Sequence, residues 1–232
     1  MIYITGDTHG DFQRIEKFCC DNKTKPSDVM IILGDAGINY FGDERDYIKK
    51  RFLKNLPITL FCIHGNHEMR PQKISSYKEQ LFNGGIVWAE DDFPNILFAN
   101  DGELFDFNGK KCLVIGGAYS VDKYYRLSRG FKWFEDEQPD EEIKNRVKNR
   151  LAEIDFKTDI ILSHTCPRKY EPIEAFLPGL DQSMIDKSTE NWLDEIEEKT
   201  IYSKWYCGHW HITKRIDKVI FMFEDINIID FD

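Results

Sequence analysis

Five of the six histidines in this 232-residue chain fall in a set of short motifs that begins near the N-terminus and ends near the C-terminus. In order they read Gly6-Asp7-Thr8-His9-Gly10, Gly34-Asp35, Gly65-Asn66-His67-Glu68, an isolated His164, and Gly208-His209-Trp210-His211. Each sits where an apolar run stops, which puts it at the end of a strand-like segment. Asp7 and His9 are two residues apart, as are His209 and His211, and at a strand end that spacing sends both side chains to one face. Asp35 offers two oxygens with which to bridge two cations, and Asn66 adds a neutral amide oxygen where carboxylates are already present. Imidazole, carboxylate and amide donors converging from several strand ends suit two divalent transition metals. Read singly, each residue has a plainer account: a surface turn for Asp7 and His9, a helix cap for Asp35, a turn for Asn66, a hydrogen-bonded structural role for His164. The ordered set favours metal ligation.

The elements that must position these donors alternate in the first part of the chain. Residues 2–5 read as a strand and 11–20 as a helix with Phe12, Ile15, Phe18 and Cys19 on one side. Residues 29–33 form a continuous apolar run of the kind buried on both faces of a sheet. A helix over 43–56 is ended by Pro57, a strand follows over 58–63, and Pro71 is placed to open another helix. Strand, helix, strand, helix predicts a layered α/β arrangement.

Shorter strands are predicted next, at 86–89, 96–99, 103–107 and 111–116, the last two joined by Asn108-Gly109 in a type I′ hairpin. An amphipathic helix over 139–154 presents Ile143, Val147, Leu151 and Ile154 on one face, with Asp140, Glu141 and Glu142 at its positive end. A strand over 159–162 leads to His164. A helix is expected over 181–199 with Met184, Ile185, Trp192, Leu193 and Ile196 inward, then strands at 203–207, 212–216, 219–223 and 226–231. No repeat or linker divides the chain, so a single domain over 1–232 is the expectation. Residues 117–138 form a long insertion with Tyr119, Tyr124, Tyr125, Arg126, Arg129, Trp133 and Phe134. Its aromatic density argues for order, and it is expected to border the active site and choose the substrate.

Hydrophobic residues at 41% and aromatics at 14% describe an ordinary globular protein. No apolar run approaches the ~20 residues of a membrane span, and the start of the chain lacks a basic region or cleavage site, so no signal peptide is expected. The six scattered cysteines form no C-x-x-C pair, which favours reduced thiols and a cytoplasmic setting. A net charge of −10 with no basic stripe speaks against non-specific nucleic-acid binding. It leaves open a small phosphoester, since bound metals would supply local positive charge.

The motif set resembles that of the calcineurin-like metallophosphoesterase superfamily, whose pattern runs D-x-H, G-D, G-N-H-D/E, H and G-H-x-H. The match spans positions 7 to 211 in the right order with every ligand position filled. The resemblance implies a four-layer αββα sandwich with two mixed sheets flanked by helices. It further implies that Asp7, His9, Asp35 and His211 hold one metal and that Asp35, Asn66, His164 and His209 hold the other. Manganese is the leading expectation for the pair, with iron, zinc, nickel or cobalt also compatible with such ligands. Two cations ~3.5–4 Å apart lower the pKa of a bridging water and clamp phosphoryl oxygens for in-line attack. His67 would stand beside them as general acid, although the carboxylate that would orient it is not identifiable.

The phosphoprotein phosphatase branch of this superfamily follows its second Asp with Asp-Arg-Gly, whose Arg grips phosphate. Here Asp35 leads instead to Ala36-Gly37-Ile38-Asn39-Tyr40. Phosphate contacts must come from elsewhere, and Asn66, Arg70 and Arg126 are the candidates, with Arg129 and Arg168 as further guanidinium groups able to pair bidentately. His64 matches no ligand position. The leading expectation is hydrolysis of phosphomonoesters such as a phosphorylated small molecule, a nucleotide or a phosphoprotein. The alternatives are a phosphodiesterase acting on cyclic nucleotides or nucleic-acid ends, and a non-catalytic scaffold on the same fold.

Overall fold

In the computed structural model, which describes residues 1–231, the apolar runs become the strands of two mixed sheets. In chain order the elements are β1 (Ile2–Thr5), α1 (Gln13–Asn22), β2 (Val29–Ile32), α2 (Glu44–Leu53), β3 (Thr59–Cys62), β4 (Tyr77–Phe82), β5 (Gly85–Glu90) and β6 (Ile96–Ala99). There follow β7 (Leu104–Phe107), β8 (Lys110–Ile115), α3 (Lys123–Arg129), α4 (Glu141–Glu153), β9 (Ile160–Ser163), α5 (Ser188–Lys199), β10 (Lys204–Cys207), β11 (Lys214–Ile216), β12 (Val219–Phe221) and β13 (Asn227–Ile228).

One sheet has the order β13-β1-β2-β3-β6-β5-β4 and the other β11-β12-β10-β9-β8-β7. The inner strands β1, β2, β3 and β6 run parallel, as do β12, β10, β9 and β8. In register, Ile4, Ile31 and Phe61 line up across the first sheet, and Val114, Leu162 and Tyr206 across the second. These residues meet between the sheets, where Phe61 packs edge-on to Phe105 with ring centres 4.7 Å apart. Alternate residues point outward: Met30, Ile32 and Leu60 toward Ile15, Cys19 and Leu53 of α1 and α2. On the far side Leu113, Ile161 and Trp205 meet Ile143, Val147 and Leu151 of α4 and Leu193 of α5. Helices, sheet, sheet and helices form the four αββα layers, and full burial of both sheet faces explains why β2 reads as an unbroken apolar run. Each such side chain contributes roughly 1.5–3 kcal/mol when buried, so the frame beneath the motifs is stiff.

The Asn108-Gly109 turn has φ of 55° and 81°, the type I′ geometry expected. Two expectations fail. Pro71 opens only a short 3-10 turn over Pro71–Lys73, after which the chain becomes β4, paired antiparallel with β5. β4 lies at the sheet edge with Leu81 76% exposed, so its sequence carries little of the alternation that marks a half-buried strand. The helix expected from residue 181 begins only at Ser188. Asp181 accepts from Ser183 N and Asp186 from Ser188 N, and such local bonds divert the backbone from helix. Met184 is therefore exposed rather than inward. Among the described residues, no helix is long and apolar enough to cross a membrane, and the six cysteines are free thiols.

Candidate active site

Parallel strands deliver the candidate residues to one edge of the sandwich. Asp7 and His9 follow β1, Asp35 follows β2, Asn66 and His67 follow β3, His164 follows β9, and His209 and His211 follow β10. Open α/β sheets place ligands at such carboxyl ends. Asp7, Asp35, Asn66 and His164 are buried, whereas the His9 and His211 side chains reach the rim at 38% and 49% exposure.

The motifs are tied to one another through backbone. His9 N donates to Asp35 O at 2.8 Å, Gly10 N to Ala36 O at 3.1 Å and Gly208 N to His164 O at 2.9 Å. The two carboxylates add cross-links: Asp7 Oδ1 accepts from His209 N and Asp35 Oδ1 from His67 N, each at 2.8 Å. His9, Asp35, His209 and His211 all have left-handed backbones, with φ of 47°, 45°, 67° and 49°. Such conformations cost about 1–3 kcal/mol each and persist where the surroundings over-determine them. Two glycines are steric necessities. A Cβ on Gly34 would lie 2.0 Å from the His164 ring, and one on Gly65 would lie 2.0 Å from Asp35 Oδ1.

The donors gather in two groups that share Asp7. One ligand atom from each of Asp7, His9 and His211 falls within 4.8 Å of the others, and the same holds for Asp7, Asp35 and His164. His9 Nε2 and His211 Nε2 face each other at 2.9 Å, and His211 Nε2 is 3.3 Å from Asp7 Oδ2. Asn66 Oδ1 lies 2.7 Å from His164 Nε2 and 3.0 Å from His209 Nδ1. Asp35 stands between the groups, with Oδ2 3.9 Å from His9 Nδ1 and Oδ1 3.8 Å from His164 Nε2.

Whether these residues suit a cation can be judged from His164. Its Nδ1 lies 2.7 Å from Leu33 O, and a carbonyl can only accept, so Nδ1 carries the proton. In the neutral ring Nε2 then presents a lone pair to the amide oxygen of Asn66. Two acceptors aimed at one point are what a cation resolves, and a ligating imidazole fixed by a carbonyl on its other nitrogen is the common arrangement at metal sites. The residues therefore fit divalent metal ions.

Burial pushes the Asp7 carboxyl up, the bond with His211 pulls it down, and it lies below the ordinary range. His211 is pushed up by that bond. His209 is pushed well down by burial, which keeps its ring neutral and able to ligate. Glu68 does not enter the cluster: its Oε1 accepts from Gly65 N at 3.0 Å and pins the turn that carries Asn66 and His67.

His67 Nε2 lies 3.2 Å from Asn66 Nδ2 and 3.3 Å from Arg126 Nη2. Arg126 comes from α3 in the 117–138 insertion and is held by Asp122, whose Oδ2 accepts from Nε at 2.8 Å. Ser120 of the same segment accepts from Asn66 Nδ2 at 2.9 Å. The insertion thus reaches both Asn66 and His67. Asp35 Oδ2 is 3.9 Å from His67 Nε2, too far for a hydrogen bond, so an arginine rather than a carboxylate contacts this ring. Burial lowers the His67 pKa, and Arg126 lowers it further, while Asp35 opposes both.

Arg70 does not join the site. Its guanidinium is buried, pairing with Asp101 Oδ2 at 2.7 Å and donating to Asp136 O at 2.9 Å, which leaves it committed to the frame. Arg168 bonds Asn191 on the protein surface, and Arg129 sits beside Tyr125. His64 is fully buried behind the cluster, as a strand-end residue.

The donor cluster opens into a cleft of about 490 Å³ lined by Asp35, Asn66, His67, His209 and His211 and by Val121 and Asp122 of the insertion. It is also lined by residues between 174 and 187 together with Trp210 and Ile212, a wall the sequence did not disclose. Its one sequence signal is the apolar cluster of Phe176, Leu177 and Leu180 inside a loop.

Residues 1–213 match the family model of the calcineurin-like phosphoesterases, and the chain belongs to that family. Its activity is accordingly metal-dependent hydrolysis of phosphoester bonds, on phosphorylated substrates. Solved structures of similar architecture include TT1561 of Thermus thermophilus, at 15% identity and a TM-score of 0.46 over 90% of this chain and 80% of that one. A phosphopantetheinyl hydrolase of Mycobacterium tuberculosis is similar at 15% identity and a TM-score of 0.48, over 96% and 87% of the two chains. Another solved chain aligns at 12% identity with a TM-score of 0.52, over 95% and 88%, a likeness of fold. No curated protein matches the chain.

Proposed function

We propose that the protein is a phosphomonoesterase working through two divalent cations in one catalytic domain. In this reading Asp7, His9, Asp35 and His211 hold one cation and Asp35, Asn66, His164 and His209 the other. The observation that carries it is the position of Asp35 between the two donor groups, 3.9 Å from His9 Nδ1 and 3.8 Å from His164 Nε2. Bound there, the cations would supply an activated water and neutralise charge at phosphorus. Manganese is the first metal to test, and the unpaired cysteines support a cytoplasmic setting.

The chain's own residues would do the rest. Arg126 would turn its guanidinium from His67 to the phosphoryl oxygens, anchored meanwhile by Asp122. That movement matters for His67. While Arg126 and Asn66 both donate to Nε2, that nitrogen is an acceptor and has no proton to give. With Arg126 drawn to the substrate, Nε2 would be free to hold a proton for the departing alkoxide, and the phosphoryl charge would favour the protonated ring. Asn66 would give up its contact with Nε2 as that proton is taken up, its amide held meanwhile by Ser120.

The test is hydrolysis of paired mono- and diesters by protein supplied with Mn²⁺, with and without chelator, alongside metal stoichiometry. Metal-dependent turnover of monoesters at least tenfold faster than of matched diesters is the expected result. A reversed preference would assign the site to phosphodiesters, and protein that binds no metal would overturn the reading.

A further inference from the structure

The cleft has two chemically different sides. Beside the donor cluster it is lined by Phe176, Leu177, Leu180, Trp210 and Ile212, with Val121 from the insertion, and the Trp210 ring lies 5.4 Å from that of His209. Phe176 and Trp210 lie with ring centres 5.8 Å apart and planes inclined by 30°. Lys187 holds them from one side, its ammonium 5.1 Å from the Phe176 ring centre and 5.4 Å from that of Trp210. Its charge is already neutralised by Glu171, whose Oε1 lies 2.9 Å away. Farther out, Glu174 is paired with Lys214. The cations near this wall therefore have partners and are not reserved for a second phosphate.

Leu177 lines the cleft and is 54% exposed, and Ile173 and Met184 of the same segment are exposed as well. Apart from Gln182 and the paired Glu174 and Lys187, this wall offers a ligand apolar area and few hydrogen-bond partners. A sugar or a peptide bound there would lose water from its polar groups without replacement. The volume, about 490 Å³, is that of a small-molecule site and not of an extended surface.

We propose that this wall is the leaving-group subsite, and that the substrate is the phosphomonoester of an alcohol carrying an aromatic or bulky apolar body. The proposal rests on the reading of the donor cluster as the phosphoryl site: with phosphorus there, the rest of the ester extends along the same cleft to Phe176, Leu180 and Trp210. The segment 173–184 is thus the part of the chain that determines specificity, together with Val121 from the insertion.

The experiment compares three esters of primary alcohols, so that leaving-group acidity is nearly constant: 2-(1-naphthyl)ethyl phosphate, ethyl phosphate and glucose 6-phosphate. For wild-type protein with Mn²⁺, kcat/KM should be at least tenfold higher for the naphthyl ester than for either other. In Leu180→Ser and Leu177→Ser that ratio should collapse by fivefold or more. Equal kcat/KM for the three esters, or a ratio unchanged in both variants, would overturn the proposal. Calorimetric binding of 2-(1-naphthyl)ethylphosphonate against ethylphosphonate gives a readout that needs no turnover. Tighter binding of the naphthyl compound by tenfold or more, weakened in the variants, supports the subsite even if no ester is hydrolysed, a result that would remove the catalytic reading alone. Equal binding of the two phosphonates would sink the subsite whatever the turnover shows. Leu177 is half-exposed, so its substitution tests the wall without threatening the fold.

Discussion

On one side of the cleft His9, Asp35, His209 and His211 are held in left-handed conformations by backbone bonds between strand ends, and Gly34 and Gly65 leave no room for so much as a methyl group. On the other side residues 173–184 run through two 3-10 turns, and Ile173, Leu177 and Met184 stand exposed. The first side rests on two buried apolar layers, the second on a few ring contacts and the Lys187–Glu171 pair. A site arranged this way can change its substrate by altering the loop without disturbing the donors. Chemistry placed on strands and selection placed on loops is a general division of labour.

That contrast can be broken most directly at Asp35. Asp35→Asn removes charge from both donor groups and should lower kcat/KM by ~10³ or more, equivalent to several kcal/mol of charge stabilisation. Rates at saturating Mn²⁺ and metal stoichiometry check it, and near-normal turnover would remove Asp35 from its bridging position. His67→Asn comes next. It should leave both metals in place and cost ~10²–10⁴ on alkyl phosphates, whose alkoxides need a proton, but little on nitrophenyl phosphate. An equal loss on both esters, or loss of a metal, would make His67 a supporting residue only.

Arg126→Met probes the loop side of the same chemistry. Charge-assisted hydrogen bonds contribute ~1.5–3 kcal/mol, so KM should rise by roughly ten- to a hundredfold with metal content unchanged. A loss confined to kcat would instead mean that Arg126 acts only by orienting His67.

The smallest effect concerns the frame. Glu190 is buried on α5 and its Oε1 accepts from Thr165, the residue after His164. Burial pushes its carboxyl up to about 7 from 4.5. Between those values the folded state holds a proton that the unfolded chain has released, so this group's contribution to stability falls as pH rises from 4.5 through 7. Glu190→Gln keeps an acceptor for Thr165 and should melt close to the wild type at about pH 5 but higher at about pH 8, by roughly 2–4 °C per kcal/mol gained. Parallel Tm profiles for the two proteins across that range would show that Glu190 does not titrate there.

The donor side was legible in the sequence because each donor follows an apolar run and glycines flank the turns. Two residues of spacing, as in Asp7 and His9, read directly as one face of a strand end. The αββα layering followed from unbroken runs such as Val29–Ile32 and from the amphipathic stripe of Ile143, Val147 and Leu151. β4 was missed although Asn83-Gly84, with φ of 47° and 87°, is a hairpin signal of the same kind as Asn108-Gly109. Pro71 drew attention to a helix, and an exposed edge strand lacks the alternation that would have argued otherwise. Arg70 resembled a phosphate clamp by type and position, but its partner Asp101 is 31 residues away, which no local pattern reveals. The wall was illegible for a related reason: Phe176, Lys187 and Trp210 meet only because three loops fold together, and the Asp-x-Ser turns at 181 and 186 read in sequence as part of a helix.

His9 and His211 face each other across 202 residues of chain. Phe223, farther along still, stacks on the His211 ring and lends its carbonyl to Gly6 N. On the ribosome, therefore, the first motif waits until synthesis has passed Phe223 before all its partners exist. A nascent chain that already carries Asp7, His9 and Asp35 cannot close the first donor group until His211 has been made.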